Sequence, residues 1–294
     1  MTIEHVRTPD ERFQNLSDFP YQPNYVELDG LRMHYLDEGP KDAEHVYLCL
    51  HGEPSWSYLY RKMIPVFTES GGRVVAPDFF GFGRSDKPVA DDVYTFSFHF
   101  QSLLSFLDAV KLERFTLVCQ DWGGLLGLAL PTERPDAIER LIVMNTALAT
   151  GAAPGPGFLQ WRDFVANNPE FNVGRLMKRA IANLSDAEEL AYDAPFPDRS
   201  FMGGARTFPS IVPIDPEMDG AARSRRAAAW WSGEWSGPSF MAIGAQDPVL
   251  GPKVMAALRR VIRGCPEPLV LETAGHFVQE QGEEVARAAL AAFS

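Results

Sequence analysis

The chain has 294 residues, 46% of them apolar and 22% charged, which is enough for one large α/β domain or for a core carrying an inserted lid. Its net charge of −12 at pH 7 excludes the nucleic-acid and membrane-surface classes, which need clustered positive charge. Cys49, Cys119 and Cys265 have no metal-ligand spacing, and no stretch reaches the ~18 apolar residues of a membrane helix.

The segment Met1 to Phe19 is polar and lacks the apolar centre of a signal peptide, so a cytoplasmic protein is expected. Tyr25 to Leu36 reads as a hairpin that turns at Asp29-Gly30. Val46 to Leu50 is a short apolar strand ending in His51-Gly52-Glu53-Pro54, and Trp56 to Phe67 follows with helical spacing. Arg73 to Ala76 is a strand, Phe96 to Val110 a helix and Phe115 to Cys119 another strand. Leu125 to Leu130 is helical as far as Pro131, and Leu141 to Met144 is an apolar strand ending at Asn145. Cys49 and Cys119 fall inside these strands as small buried hydrophobes.

Alternation of strand and helix predicts a mostly parallel eight-stranded sheet with helices on both faces. The rhythm stops after Asn145. Residues 150–157 are rich in glycine and proline, and no run of buried strands returns before about Trp235. Ser239 to Gly244 is then a strand, Pro252 to Val261 a helix, Pro268 to Leu271 a strand and Glu283 to Phe293 a helix. The predicted division is a first core segment 1–146, a helical cap 147–235 and a second core segment 236–294.

Residues 115–124, Phe-Thr-Leu-Val-Cys-Gln-Asp-Trp-Gly-Gly, carry an apolar strand into a helix through a small-x-nucleophile-x-small turn. That is the nucleophile elbow of the α/β-hydrolase fold, with Asp121 at its tip and Cys119 and Gly123 as small flanks. Alone, the stretch also suits Asp121 as a helix N-cap. As a nucleophile, a carboxylate attacks an electrophilic carbon and forms an ester, which selects alkyl transfer over acyl transfer.

An aspartyl ester needs a general base and a group to orient it. His276 follows the last predicted strand and Asp247 the strand before it, both at strand ends where doubly wound sheets form their sites. The chain order nucleophile, acid, histidine is that of the fold. Two N–H donors are expected for the oxyanion, from the backbones of Trp122 and Glu53. No phosphate loop or metal site is apparent and no cofactor is expected.

The motifs His-Gly-Glu-Pro at 51–54, Asp-Phe-Phe-Gly-Phe-Gly-Arg-Ser-Asp at 78–86, Gln-Asp-Trp-Gly-Gly at 120–124, Gly-Ala-Gln-Asp at 244–247 and Ala-Gly-His-Phe-Val-Gln-Glu at 274–280 resemble those of haloalkane dehalogenases. Ala-Pro-Phe-Pro-Asp at 194–198 and Gly-Cys-Pro-Glu-Pro at 264–268 extend the likeness over nearly the whole chain. The pattern is similar to the subfamily typified by the Xanthobacter enzyme, which carries its acid after the seventh strand. Asn145 and Glu53 fit it, because the other subfamily has a glutamate acid and a halide-binding asparagine at those places.

The resemblance implies hydrolysis of short haloalkanes to alcohol, halide and a proton. It assigns halide binding to Trp122 and a cap tryptophan, Trp161, with Trp230, Trp231 and Trp235 as competitors. An indole N–H suits the task, being a donor without a competing acceptor. Phe158, Phe164, Phe208, Val212, Leu125 and Leu250 are the expected pocket residues. Leu125 departs from close relatives, which carry phenylalanine there. A monomer is expected, with a haloalkane and a halide ion as its ligands.

Three rivals share the frame. An epoxide hydrolase needs a pair of cap tyrosines, and 147–235 contains only Tyr192. A fluoroacetate dehalogenase needs an arginine near the elbow, where Trp122 and Gly123 stand. A catalytically silent receptor of this fold would keep the pocket without turnover.

Overall fold

A computed structural model describes residues 3–294. Its eight-stranded sheet comprises β1 (Asn24–Leu28), β2 (Leu31–Glu38), β3 (Val46–Leu50), β4 (Arg73–Pro77), β5 (Phe115–Gln120), β6 (Ile138–Met144), β7 (Ser239–Gly244) and β8 (Leu269–Leu271). The spatial order is β8-β7-β6-β5-β3-β4-β2-β1. Strands β3 to β8 pair in parallel, while the β1–β2 hairpin joins antiparallel through β2 and β4. Asp29 and Gly30 turn that hairpin at φ 52° and 83°, the left-handed pair a two-residue turn requires.

Parallel neighbours need crossovers, which here are helical. The helices are α1 (Ile64–Glu69), α2 (Phe96–Ala109), α3 (Asp121–Gly127), α4 (Pro156–Asn167), α5 (Val173–Ala180), α6 (Asp186–Asp193), α7 (Gly203–Ile211), α8 (Ala221–Gly233), α9 (Pro252–Val261) and α10 (Gly282–Ala292). Alternate strand residues sort into two apolar cores, as a pleat with two covered faces dictates. Leu48, Leu50, Leu117, Cys119, Leu141 and Val143 join one with α2 and α9. Tyr47, Cys49, Val118, Ile142 and Met144 join the other with α1 and α10.

Two details differ from the sequence expectation. The run Trp56 to Phe67 is not one helix but a 3-10 turn, Ser57–Tyr60, followed by α1. Pro65 explains the break: in the first turn of α1 its missing N–H costs nothing, whereas further into a helix its ring would meet the preceding turn. His5–Val6 also forms a short antiparallel ladder with Lys87–Pro88, too brief to leave a periodic signal.

Helices α4 to α8 occupy the interval between β6 and β7. Buried Arg61 ties them to the core. Its guanidinium reaches Glu188 on α6 at 2.5 Å and both oxygens of Glu280 at 2.7 and 2.8 Å. Among the described residues no helix is long and apolar enough to cross a membrane.

Candidate active site

Strand β5 ends at Gln120, and the chain turns into α3 at Asp121 with φ 50°. A non-glycine residue there costs on the order of 1–3 kcal/mol, and the surroundings must hold it in place. They do so closely. The Asp121 N–H donates to the Asn145 carbonyl at 3.0 Å, and the Thr146 hydroxyl donates to the Asp121 carbonyl at 2.7 Å. Glycine is obligatory around the turn: a Cβ on Gly123 would collide with the Leu50 carbonyl oxygen, and one on Gly124 with the Thr146 side chain. A Cβ on Gly52 would strike Asp121 itself.

The Asp121 carboxylate meets two partners. Its Oδ1 accepts the Glu53 backbone N–H at 2.8 Å, and its Oδ2 lies 3.7 Å from His276 Nε2. Burial pushes this carboxyl above its ordinary range, opposed by the His276 charge and by the backbone N–H groups of Trp122 and Glu53. The N–H donors deduced from the sequence thus act on the nucleophile already in the free protein.

His276 Nδ1–H donates to Asp247 Oδ2 at 2.8 Å. Asp247 is held in turn by Asn145 Nδ2 at 2.8 Å and by the N–H groups of Val249 and Leu250 at 2.8 and 3.1 Å. Burial opposes charge on both partners. For Asp247 the His276 charge and these hydrogen bonds outweigh it and hold the carboxyl well below the carboxylate range. Burial likewise disfavours the imidazolium, but Asp247 and then Asp121 raise His276 to about 9.

Glu53 has an unusual environment. Its side chain is buried, Oε1 has no protein partner, and burial beside the Asp121 charge pushes its carboxyl well above the ordinary range. A hydrogen bond from the Trp161 side chain pulls the other way, and burial and the Asp121 charge outweigh it.

These groups open onto a cavity of about 1150 Å³ lined by Leu125, Phe158, Trp161, Val212 and Leu250 as well as by Glu53, Asp121, Trp122 and His276. Trp122 and Trp161 are the two tryptophans on its wall. The indole N–H of Trp231 is spent on the Leu128 carbonyl at 2.7 Å, and that of Trp235 on the Ser239 hydroxyl at 2.9 Å. Trp230 packs against both.

Two expected pocket residues are not on that wall. Phe208 is wholly buried, its ring 4.5 Å from that of Trp122, where it backs the indole instead of facing a ligand. Phe164 is 36% exposed and stacks on Trp161 at 5.7 Å, outside the cavity wall. Two other residues carry more than the sequence suggested. Gln120 reaches His276 Nε2 at 2.8 Å, and Asn145 bridges to Asp247. A buried amide at the end of an apolar strand must find partners, which is the signal each gave.

The competing site chemistries find less here. Tyr192 is buried and gives its hydroxyl to Glu280, away from the cavity wall. Among the described residues no group of three or more His, Cys, Asp or Glu is placed to hold a metal ion.

A family model described as alpha/beta hydrolase fold matches residues 46–283. The haloalkane dehalogenase of Psychrobacter cryohalolentis is 46% identical over 96% of this chain and 95% of its own. That of Mycobacterium marinum is 43% identical over 97% and 98%. Among solved structures, the tetrameric haloalkane dehalogenase DpaA from Paraglaciecola agarilytica NO2 superposes with a TM-score of 0.97 at 52% identity, covering 99% of both chains. Haloalkane dehalogenase DbeA from Bradyrhizobium elkani gives a TM-score of 0.76 at 26% identity, over 92% of this chain and 98% of that one.

Proposed function

The chain belongs to the haloalkane dehalogenase family of the α/β-hydrolase fold, and on that footing we propose that it hydrolyses short haloalkanes through an ester on Asp121. Asp121 Oδ2, the oxygen not held by Glu53, attacks carbon in line. The carbon–halogen bond breaks and its electron pair leaves with the halide, between the Trp122 and Trp161 indoles. Those donors strengthen as charge develops, which is what lowers the barrier.

In the second step, His276 takes one proton from a water whose oxygen joins Asp121 Cγ. The carbonyl oxygen, Oδ1, gathers the negative charge where the Glu53 N–H already donates at 2.8 Å, and the Trp122 N–H acts on the same carboxyl. Collapse expels the alkoxide, which recovers a proton as alcohol. The remaining acid proton leaves through His276. Esterification also removes the Asp121 charge that helps hold a proton on His276, so more of the ring is unprotonated and free to accept one after alkylation.

The observation that carries this reading is the seat of Asp121: a strained carboxylate at the elbow, oxyanion donor in place, facing a cavity walled by two indoles. Side-by-side assay of halide release from 1,2-dibromoethane and a 1-chloroalkane, and of diol formation from styrene oxide, tests it. Turnover of the epoxide alone would reverse it, and ligand binding without turnover would indicate a silent receptor.

We assign the chain to the subfamily typified by the Xanthobacter enzyme, on Asp247 after β7 with Asn145 after β6. Residues 147–235 act as the cap over the cores 1–146 and 236–294. A cytoplasmic setting agrees with three unpaired cysteines. The monomer expected from the sequence stands against the tetramer of the Paraglaciecola relative. Light scattering separates one chain of 32.7 kDa from four.

A further inference from the structure

Gln120 is wholly buried beside the catalytic pair. Its Nε2 lies 2.8 Å from His276 Nε2 and 3.2 Å from the His276 carbonyl oxygen, while its Oε1 is buried without a partner. The carbonyl oxygen can only accept, so the atom between it and the ring is the amide nitrogen. An amide nitrogen only donates, so the ring nitrogen it meets must carry a lone pair. His276 Nδ1 already gives its hydrogen to Asp247. The contact therefore fits only the neutral ring with hydrogen on Nδ1, which is the form that acts as a base.

We propose that Gln120 is a positioning residue that holds His276 in its neutral, Nδ1–H form, against the pull of Asp247 and Asp121 toward the imidazolium. The rest of the site drives the other way. Asp247 at 2.8 Å and the Asp121 carboxylate at 3.7 Å both favour a second ring proton. An imidazolium would set two donors against each other at Nε2, and the amide could not turn to accept without breaking its bond to the His276 carbonyl. A neutral hydrogen bond is modest, which is what tuning by a single amide supplies. The second bond to the carbonyl keeps the amide anchored when the hydrolytic water takes the lone pair.

The inference rests on the ester mechanism proposed above, and the two can fail separately. Gln120→Met keeps the length of the side chain and removes the donor. Mixing it with 1,2-dibromoethane should still give one halide per site in the first turnover; a single turnover in heavy-oxygen water that leaves no label on Asp121 in either the variant or the parent protein would count against the ester mechanism itself. The inference is read in steady state, where the acidic limb of the pH profile should rise by about one unit and turnover at neutral pH should fall about ten-fold, recovering at high pH. Gln120→Glu should raise the limb further, because a carboxylate accepts from Nε2–H. Nitrogen-15 NMR of the unmutated protein supplies a reading independent of folding: during ester hydrolysis His276 should show hydrogen on Nδ1 and a lone pair on Nε2. An unmoved limb, a limb that falls, or a ring found with hydrogen on Nε2 would each overturn the proposal.

Discussion

Asn145 spans the ends of β6 and β7 to reach Asp247, its Nδ2 standing 2.8 Å from the carboxylate Oδ2 that also accepts the His276 Nδ1–H hydrogen bond. Its side chain pairs twice more with the Gly244 backbone, at 2.8 Å as acceptor and 3.2 Å as donor. One amide thus sutures two parallel strands and fixes the acid that orients the base. Hydrogen bonds to a charged group contribute about 1.5–3 kcal/mol each. Asn145→Ala should lower the unfolding free energy by about 2–3 kcal/mol in chemical denaturation and slow ester hydrolysis on the order of ten-fold. A stability loss with undiminished hydrolysis would confine Asn145 to the strand junction.

The two steps of the mechanism part cleanly in two variants. Asp121→Asn should be inactive when freshly prepared, since an amide does not displace halide. His276→Gln should release one halide per site and then stall, with the added alkyl mass on the peptide containing residue 121. Steady turnover by His276→Gln would remove His276 from the role of base. In heavy-oxygen water, a single turnover of the unmutated protein should leave label in the Asp121 carboxylate and none in the alcohol.

How much of this was legible depended on whether local chemistry or distant packing decided the position. Asp121, Asp247 and His276 each sit at a strand end, and strand ends announce themselves through apolar runs followed by glycine. Gly123 and Gly124 follow from how little space the elbow leaves. The pocket wall is different. Phe158 and Phe164 lie on the same helix, yet one lines the cavity and the other is partly exposed, because the pose of α4 over the core sets the boundary. The apolar ring of Phe208 suits a pocket wall and equally the layer behind Trp122, where the fold places it. Gln120 could be placed on the elbow strand, but its bond to a residue 156 positions away has no local trace.

The raised pKa of His276 predicts how stability depends on pH. In the unalkylated protein burial and the Gln120 donor both disfavour the imidazolium, but Asp247 and then Asp121 outweigh them and lift the ring from its ordinary 6.5 to about 9, so the folded protein holds its proton more tightly than the unfolded chain. That contribution is fully present below about pH 6.5 and is lost as pH rises through 9. Thermal melts of the unmutated protein and His276→Gln should therefore converge between pH 6.5 and 9.5, the difference being greatest at the acidic end. A constant gap across this window would show that His276 titrates as an unperturbed histidine.

Trp161 supplies the sharpest test of the halide site, because four of the six tryptophans stand off the cavity wall. Trp56, Trp231 and Trp235 donate to the Ala191 carbonyl, the Leu128 carbonyl and the Ser239 hydroxyl, and none of these partners is available to a ligand without breaking a buried bond. Trp122 is itself braced by Phe208 at 4.5 Å and by Phe96 at 6.2 Å, so its indole is held in one pose, while Trp161 rides on α4. In Trp161→Phe the ring stays and the donor goes. Halide-induced quenching of tryptophan fluorescence should weaken by at least ten-fold in apparent affinity, the effect of losing a donor to an anion of about 1.5–3 kcal/mol. Turnover should slow with it, since the departing halide loses half of its support in the transition state. Quenching that survives at the original affinity would leave Trp161 as a wall of the cavity and move the second donor elsewhere on that wall.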